Sequence, residues 1–384
     1  MNMSYERIEE QLKISLVRCT HIVIKLGTGV LNPHIEKTDF SFFKKLADEV
    51  KYLQSCGKKV LIVSSGAVGF GKKIRKKRIT ALRKVEEVSA EDLTGNSIVD
   101  KQAWAAIGQS FLINAYTEYF NQVGLDAAQI LLSMSDFKNR RHFQNLKQTL
   151  DQLLDWGSVP VINENDTVSI DEKFGDNDTI SALIAGMYQQ SCLIILTTID
   201  GFYMDNKKVD IVQDVEIDHL NAAGGASAGG IGGMRTKLHA AHKIIQSGQI
   251  MNIASGKDPG ILRQIVMGEN IGTWFIPVTL ESVGAKKRWL LHYRHSRGEL
   301  FIDDGARQAL VFKGASLLVV GLKKFSGEFE KGDVVSICDL PGEVLGLGTV
   351  AVSSGDLTKL LVGDLEKKGV EIIHRDNLAL LTKK

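Results

Sequence analysis

The chain has 384 residues, 47 Lys+Arg against 45 Asp+Glu, 44% hydrophobic and 24% charged residues. At roughly 100–200 residues per domain this length holds two or three domains, and the composition excludes a disordered, collagen-like or coiled-coil chain. A net charge of +2 makes no global cationic field for nucleic acid, and Cys19, Cys56, Cys192 and Cys338 form no C-x-x-C pair, against a zinc knuckle or disulfide framework.

The start, MNMSYERIEEQLK, lacks the basic-then-apolar pattern of a signal peptide, so a cytoplasmic location is expected. In chain order, THIVIKL (20–26), KKVLIVSS (58–65), AAQILLS (127–133), SVPVIN (158–163), CLIILTT (192–198) and QIMNIAS (249–255) predict strands. Between them, 39–55, 101–121, 143–156, 177–189 and 234–247 carry helical periodicity. Short β-branched runs alternating with amphipathic segments are βαβ units. They predict an α/β fold, a three-layer sandwich with a mainly parallel sheet covered on both faces. Thr179 to Ile199 is uncharged and long enough to span a bilayer. Tyr188, Gln189, Gln190 and Ser191 interrupt it, which predicts a buried helix, a turn and a buried strand. After about Gly284 the texture changes to short Val- and Ile-rich segments broken by Gly, such as GELFIDD, GASLLVVG and GDVVSICD. They predict a β-rich barrel or sandwich over 285–384, following a first domain over 1–284.

Ligands of open parallel sheets bind outside the carboxyl ends of the strands. The first strand carries Lys25 near its end, just before Gly27, Thr28 and Gly29. Glycine there lets backbone N–H groups approach a phosphate, and a lysine supplies a point charge. The second strand runs into Ser65 and Gly66. No GxxxxGK[ST] occurs, and GTGVLN lacks the third glycine of a dinucleotide fingerprint, so either segment alone reads as a tight turn. Past the fourth strand, VINENDTVSIDEKFGDND (161–178) places Asn163, Glu164, Asn165, Asp166, Asp176, Asn177 and Asp178 in two clusters. Such carboxylates and amides suit an amino-acid ammonium group and can orient lysines; a solvated acidic loop is the plain alternative. Last, AAGGASAGGIGGMRTK (222–237) is glycine-rich up to an amphipathic helix. N–H groups at a helix start hold phosphate, and Lys237 follows one turn in, although composition alone makes this a linker. Two glycine loops, two lysines and an acidic cluster, with no candidate nucleophile among them, point to phosphoryl transfer by positioning and charge neutralisation.

IVIKLGTGVL, VSSGAVG, PVINENDTVS, GDND and GGMRTK stand in an order and spacing that closely resemble the glutamate 5-kinase family of the amino-acid kinase superfamily. The segment from KRWLL to EIIHRDNL resembles the PUA domain fused to many bacterial members. The resemblance spans nearly the whole chain, and INEND with GDND separates this family from kinases of acetylglutamate, aspartate or UMP. It implies a transferase that uses ATP to convert L-glutamate to L-glutamyl 5-phosphate, the first step of proline biosynthesis, with Mg²⁺ bridging the phosphates. By resemblance Lys25 and Lys237 are catalytic, stabilising the transferring phosphoryl group, and Asp178 holds both lysines. Ser65, Gly66, Asn163, Asp166, Asp176 and Asn177 fall on glutamate-binding positions. Gly27, Thr28, Thr197, Thr198, Ile231, Gly232, Gly233, Met234, Arg235, Thr236 and Lys237 fall on nucleotide-binding ones. Members are commonly homo-oligomers inhibited by proline, and the labile acyl phosphate makes association with glutamyl-phosphate reductase a further expectation.

The chain departs from the family pattern at three places. Thr197-Thr198 stands where Thr-Asp is usual, Ile231 where threonine is, and the segment between SSGAVGFG and QAWAAIGQ is longer. That segment holds the basic run KKIRKKRITALRK (72–84), with acidic Glu86, Glu87, Glu91 and Asp92 after it. A solvated, mobile surface loop is expected there rather than an RNA or phosphate site. His239/His242 and His292/His295 lack a third ligand nearby, which speaks against zinc, and Trp104, Phe111, Tyr116 and Tyr119 are expected as packing residues. Two alternatives stand beside the main expectation: a kinase of another carboxylate, N-acetylglutamate or aspartate, and an RNA-binding PUA protein with a degenerate kinase domain. Residues 286–384 hold 16 Lys+Arg against 13 Asp+Glu, a weak electrostatic footprint for RNA. Intact Lys25, Asp178 and Lys237 argue against degeneracy, and no membrane or RNA partner is expected.

Overall fold

The computed structural model describes residues 5–37, 39–83, 97–138, 140–168, 177–215, 217–222, 233–278, 290, 296–362 and 369–380. The chain divides into two compact units, residues 1–281 and 282–384; the expected boundary at 284/285 lies outside the described residues.

The first unit runs α1 (Tyr5–Arg18), β1 (His21–Leu26), α2 (Thr28–Lys37), α3 (Ser41–Ser55), β2 (Lys59–Ser64), α4 (Ala67–Arg83), α5 (Ile98–Gln122), β3 (Ala127–Leu132), α6 (Met134–Lys138), α7 (Arg140–Asp155), β4 (Val159–Glu164), α8 (Asn177–Gly186) and β5 (Ser191–Thr197). A hairpin of β6 (Phe202–Met204) and β7 (Lys207–Val209) follows, then β8 (Ile211–Val212), α9 (Ile217–Ala222), α10 (Met234–Gln246), β9 (Ile250–Ser255), α11 (Ile261–Val266) and β10 (Thr273–Phe275). The large sheet has the order β3-β4-β2-β1-β5-β9-β10-β8. From β3 to β9 all neighbours are parallel, and β10 runs antiparallel to β9. All six expected strands are present.

The strands were legible because the central ones are buried on both faces: β1 past His21, and all of β4, are buried. Side chains alternate across the sheet. Ile22, Ile24 and Leu26 join one core with Leu12 of α1, Leu31 of α2, Phe43 of α3, Tyr116 of α5 and Leu262 of α11. Val23 and Lys25 face the opposite layer, where α8 packs on β1, β2, β4 and β5 and α10 packs on α8. Full burial of each such aliphatic side chain contributes about 1.5–3 kcal/mol. Helices α3, α5, α7 and α10 each hand over to the next strand through a left-handed glycine, Gly57, Gly124, Gly157 and Gly248.

The basic run differs from expectation: 72–83 continues α4 rather than forming a loop. Lys and Arg are good helix formers, and Phe70 and Ile79, both 5% exposed, anchor the helix to the unit. Lys72 lies over the Trp104 ring at 4.6 Å, while Arg75, Lys76, Lys77 and Arg78 are exposed. Trp104 and Tyr116 are buried as expected, whereas Phe111 is 47% exposed. The uncharged stretch folds as α8, a turn and β5, and no helix among the described residues is long and apolar enough to cross a membrane.

The second unit contains β11 (Gly298–Ile302), α12 (Asp304–Lys313), β12 (Leu317–Leu318), β13 (Leu322–Gly327), β14 (Val334–Cys338), β15 (Val344–Thr349), α13 (Ser354–Val362), β16 (Glu371–Ile373) and β17 (Leu378–Leu380). Five strands form one sheet, β13-β11-β14-β15-β17, and β12 pairs with β16. Leu300, Leu310, Val335, Leu345, Leu357 and Ile372 build a separate core. The unit is β-rich as expected and includes helices α12 and α13; Asp303 caps α12 by accepting from the Ala306 N–H at 2.8 Å.

Candidate active site

Strands β1 and β5 are adjacent, yet β1 leads to β2 on one side and β5 leads to β9 on the other. Connections leaving neighbouring strands in opposite directions open a crevice at their carboxyl ends, where open sheets bind ligands. Leu26 is level with Ser64 of β2 and Leu196 of β5. The Gly27 N–H donates to the Leu196 carbonyl at 3.2 Å, and α2 begins at Thr28, turning first-turn N–H groups toward the crevice. A Cβ on Gly29 would come within 2.7 Å of the Thr198 methyl, and one on Gly27 would lie 3.8 Å from Lys25 Nζ. Gly27, Thr28, Thr197 and Thr198 are therefore brought to one place.

Beside them is a buried charge cluster. Lys25 projects from β1 toward α8, and Asp178 stands in the first turn of α8, where a carboxylate is favoured by the helix dipole. Lys25 Nζ lies 2.6 Å from Asp178 Oδ1, and Lys237 Nζ, from the first turn of α10, lies 3.0 Å from Oδ2. Thr236 Oγ1 is 2.8 Å from the same Oδ2. Lys25, Asp178 and Lys237 are 4%, 0% and 5% exposed. Burial alone would raise the Asp178 carboxyl; Lys25, then Lys237, and the hydrogen bonds outweigh it and bring it down to about 2. Two lysines thus converge on one carboxylate in a site with little water, an arrangement suited to an incoming anion.

A polar pocket adjoins the cluster. Asn177 Nδ2 donates to Ser65 Oγ at 3.0 Å and to Asn163 Oδ1 at 3.1 Å. Gly66, next to Ser65, has φ +111, a backbone that glycine adopts freely, and the chain turns there from β2 into α4. Asp166, just past β4, has its carboxyl pushed up to about 6 by burial and then by the neighbouring Glu164 charge. Sequence reasoning missed two contributors on α5: Gln109, which accepts from Asn163 Nδ2 at 2.9 Å, and Tyr116, whose hydroxyl donates to Ser64 Oγ at 2.8 Å. Their signal was polar atoms at positions of a helix that otherwise packs inward.

The other expected residues divide. Gly233 is the N-cap of α10, with extended backbone and no side-chain cap, so that helix start leaves N–H groups open to an anion. Met234 is half-buried at its first turn and Arg235 is exposed. Thr236, expected on the nucleotide, has its hydroxyl 2.8 Å from Asp178 Oδ2 and from the Gly233 carbonyl. Asp176, Ile231 and Gly232 lie outside the described residues. Among the described residues no group of three or more His, Cys, Asp or Glu is placed to hold a metal ion.

The amino acid kinase family model matches residues 20–253, and the PUA domain model matches residues 298–374. Glutamate 5-kinase of Caldanaerobacter subterraneus subsp. tengcongensis is 39% identical over 377 residues, covering 94% of this chain and 97% of the relative. That of Geobacter metallireducens is 41% identical over 383 residues, covering 95% and 99%. Among solved structures, carbamate kinase from Giardia lamblia bound to AMP-PNP is 17% identical with a TM-score of 0.47, over 67% of this chain and 99% of that one.

Proposed function

The chain belongs to the glutamate 5-kinase family of amino acid kinases, and from that premise we propose how its residues carry the reaction. It is a kinase that uses ATP to phosphorylate the γ-carboxylate of L-glutamate, giving L-glutamyl 5-phosphate for proline biosynthesis. The substrate's carboxylate is itself the nucleophile, so no serine, cysteine or histidine is activated. Two anions must meet in line, and their repulsion is the main obstacle. Lys25 sits against the transferring phosphoryl group and Lys237 on the nucleotide side, with first-turn N–H groups of α2 and α10 adding neutral donors. Asp178 reacts with nothing; it tethers both ammonium groups. The observation that carries this reading is the double bridge, 2.6 Å and 3.0 Å, from one buried carboxylate to a lysine near the end of β1 and another in the first turn of α10.

Glutamate occupies the adjoining pocket. Asp166 takes its ammonium group, which draws the carboxyl back toward its ionised form. Ser65 Oγ already accepts from Asn177, so its own proton is available to a substrate oxygen. Mg²⁺ has no protein cage among the described residues; it fits as an ion carried on nucleotide phosphates, which it holds with few protein ligands and whose charge it neutralises. Residues 1–284 form the kinase domain and 285–384 the PUA domain. A cytoplasmic homo-oligomer that is inhibited by proline and passes its acyl phosphate to glutamyl-phosphate reductase is the family expectation.

The test is a panel of acceptors with ATP and Mg²⁺, the acyl phosphate being trapped as its hydroxamate. Glutamate is expected to give product while N-acetylglutamate and aspartate do not. Product from another carboxylate in preference to glutamate would overturn the assignment of the pocket while keeping the phosphoryl-transfer centre.

A further inference from the structure

Helix α5 supplies the polar pocket with a side chain to which the sequence reading assigned no role. Gln109 Oε1 accepts from Asn163 Nδ2 at 2.9 Å, and the polarity of that bond is set from its far end. The Glu164 backbone N–H is an unambiguous donor, and it bonds Asn163 Oδ1 at 2.9 Å. Asn163 therefore turns its oxygen to the backbone and its NH₂ to Gln109, which must answer with an acceptor. The same Asn163 oxygen accepts from Asn177 Nδ2 at 3.1 Å, and that NH₂ also reaches Ser65 Oγ at 3.0 Å. With its NH₂ used, Asn177 keeps Oδ1 as a buried acceptor without a partner among the described residues. Ser65 Oγ, already accepting, keeps its proton to donate.

The backbone behind this relay is held rigidly. A Cβ on Gly108, next to Gln109, would lie 1.8 Å from the Ala67 carbonyl and 2.5 Å from Gly71 N. One on Gly71 would lie 1.9 Å from the Trp104 carbonyl. Helices α4 and α5 thus touch backbone to backbone directly behind Ser65 and Gly66. Two turns after Gln109 and on the same face, Tyr116 bonds Ser64 at 2.8 Å. One helix bears on the ends of β2 and β4 together.

We propose that Gln109 is a positioning residue: through Asn163 it fixes the amide orientation of Asn177 and the proton direction at Ser65, so that the pocket presents a donor and an acceptor in one defined arrangement to an amino acid. The proposal rests on the reading of Ser65, Asn163 and Asn177 as the glutamate pocket. Without the Gln109 acceptor, the Asn163 NH₂ (the residue is 2% exposed) loses its partner, and rotating the amide would set NH₂ against the Glu164 N–H.

Steady-state kinetics of Gln109→Met, Gln109→Glu and Ser65→Ala, with thermal midpoints, test this. Gln109→Met is expected to raise KM for glutamate about tenfold while kcat and KM for ATP stay within about twofold, the loss of one hydrogen bond's worth of positioning. Gln109→Glu keeps the acceptor and is expected to restore glutamate KM to near wild type. Ser65→Ala raises it independently. If Ser65→Ala raises glutamate KM but Gln109→Met does not, the relay is wrong and the pocket stands. If Ser65→Ala leaves it unchanged, the pocket reading itself falls. A Glu variant as impaired as the Met variant would reduce Gln109 to packing and overturn the proposal. Should Gln109→Met not fold, Gln109→Ser is too short to reach Asn163 and must give the same split.

Discussion

Replacing Asp178 by Asn keeps the side chain's shape and removes the one charge that Lys25 and Lys237 share. The carboxylate oxygens lie 2.6 Å and 3.0 Å from the two ammonium groups. At an effective dielectric constant of about 20, each contact is worth on the order of 5–6 kcal/mol of gross attraction. Desolvation and the repulsion between the lysines offset much of this. Breaking a buried ion pair by removing one partner costs about 3–5 kcal/mol. For a unit of 281 residues the melting entropy is about 0.6 kcal/mol/K, so Tm is expected to fall by about 5–8 °C. Activity is expected to fall further than stability, by about 10²–10³ in kcat, because both lysines lose their tether. ATP is expected to raise the melting temperature of the variant more than that of the wild type, since phosphate then supplies the missing negative charge. Acid adds a second readout. The Asp178 carboxyl is depressed from 3.8 to about 2, so it contributes stability that is present above pH 4 and lost as pH falls toward 2. Wild type should therefore lose more stability than the Asn variant across that window. Thermal melts with and without ATP, and initial rates, make the test; a variant with wild-type kcat, whatever its Tm, would refute the role given to Asp178.

Three further outcomes follow from the site. Asp166, pushed up to about 6, must ionise to meet an ammonium group, so KM for glutamate should rise about tenfold per pH unit below 6 while kcat changes less; Asp166→Asn should hold a high KM flat across pH, and a flat wild-type profile would contradict the assignment. Lys25→Ala should lose about 10²–10³ in kcat yet melt closer to wild type than Asp178→Asn, because the 3.0 Å bridge between Asp178 and Lys237 is kept; equal melting losses would count against this ranking. Gly108→Ala, whose new Cβ would meet the Ala67 carbonyl at 1.8 Å, should destabilise by about 1–3 kcal/mol as overpacking and raise glutamate KM by moving Ser65, both read from melts and initial rates.

The central strands of the large sheet were readable because they are buried on both faces and written as continuous apolar, β-branched-rich runs. Helix α2 was hidden by Pro33 inside it, by Gly27 before it and by Gly29 in its first turn. Helix α4 was hidden by its charge: the anchors Phe70 and Ile79 are too sparse to show a periodic face, and Gly71, which lets α5 approach, resembles loop punctuation. At the site, Lys25, Asp178 and Lys237 were legible through family motifs, each at an element's end. What no motif could state is which group each one touches, as Thr236 illustrates by bonding Asp178. Gln109 and Tyr116 were not legible as pocket residues. They reach the strand ends from a helix more than fifty positions away from the residues they bond, and on that helix a single polar atom turned inward leaves no periodic trace.

The measurement closest to the central claim follows an oxygen atom. L-Glutamate labelled with oxygen-18 in its γ-carboxylate would be supplied with ATP, Mg²⁺ and hydroxylamine, and the released phosphate weighed. If the substrate's carboxylate attacks the phosphoryl group, each hydroxamate is matched by one phosphate carrying a single labelled oxygen, and Lys25→Ala slows both together. Phosphate released without label, with no hydroxamate, would mean that water and not glutamate is the acceptor, and would contradict the account.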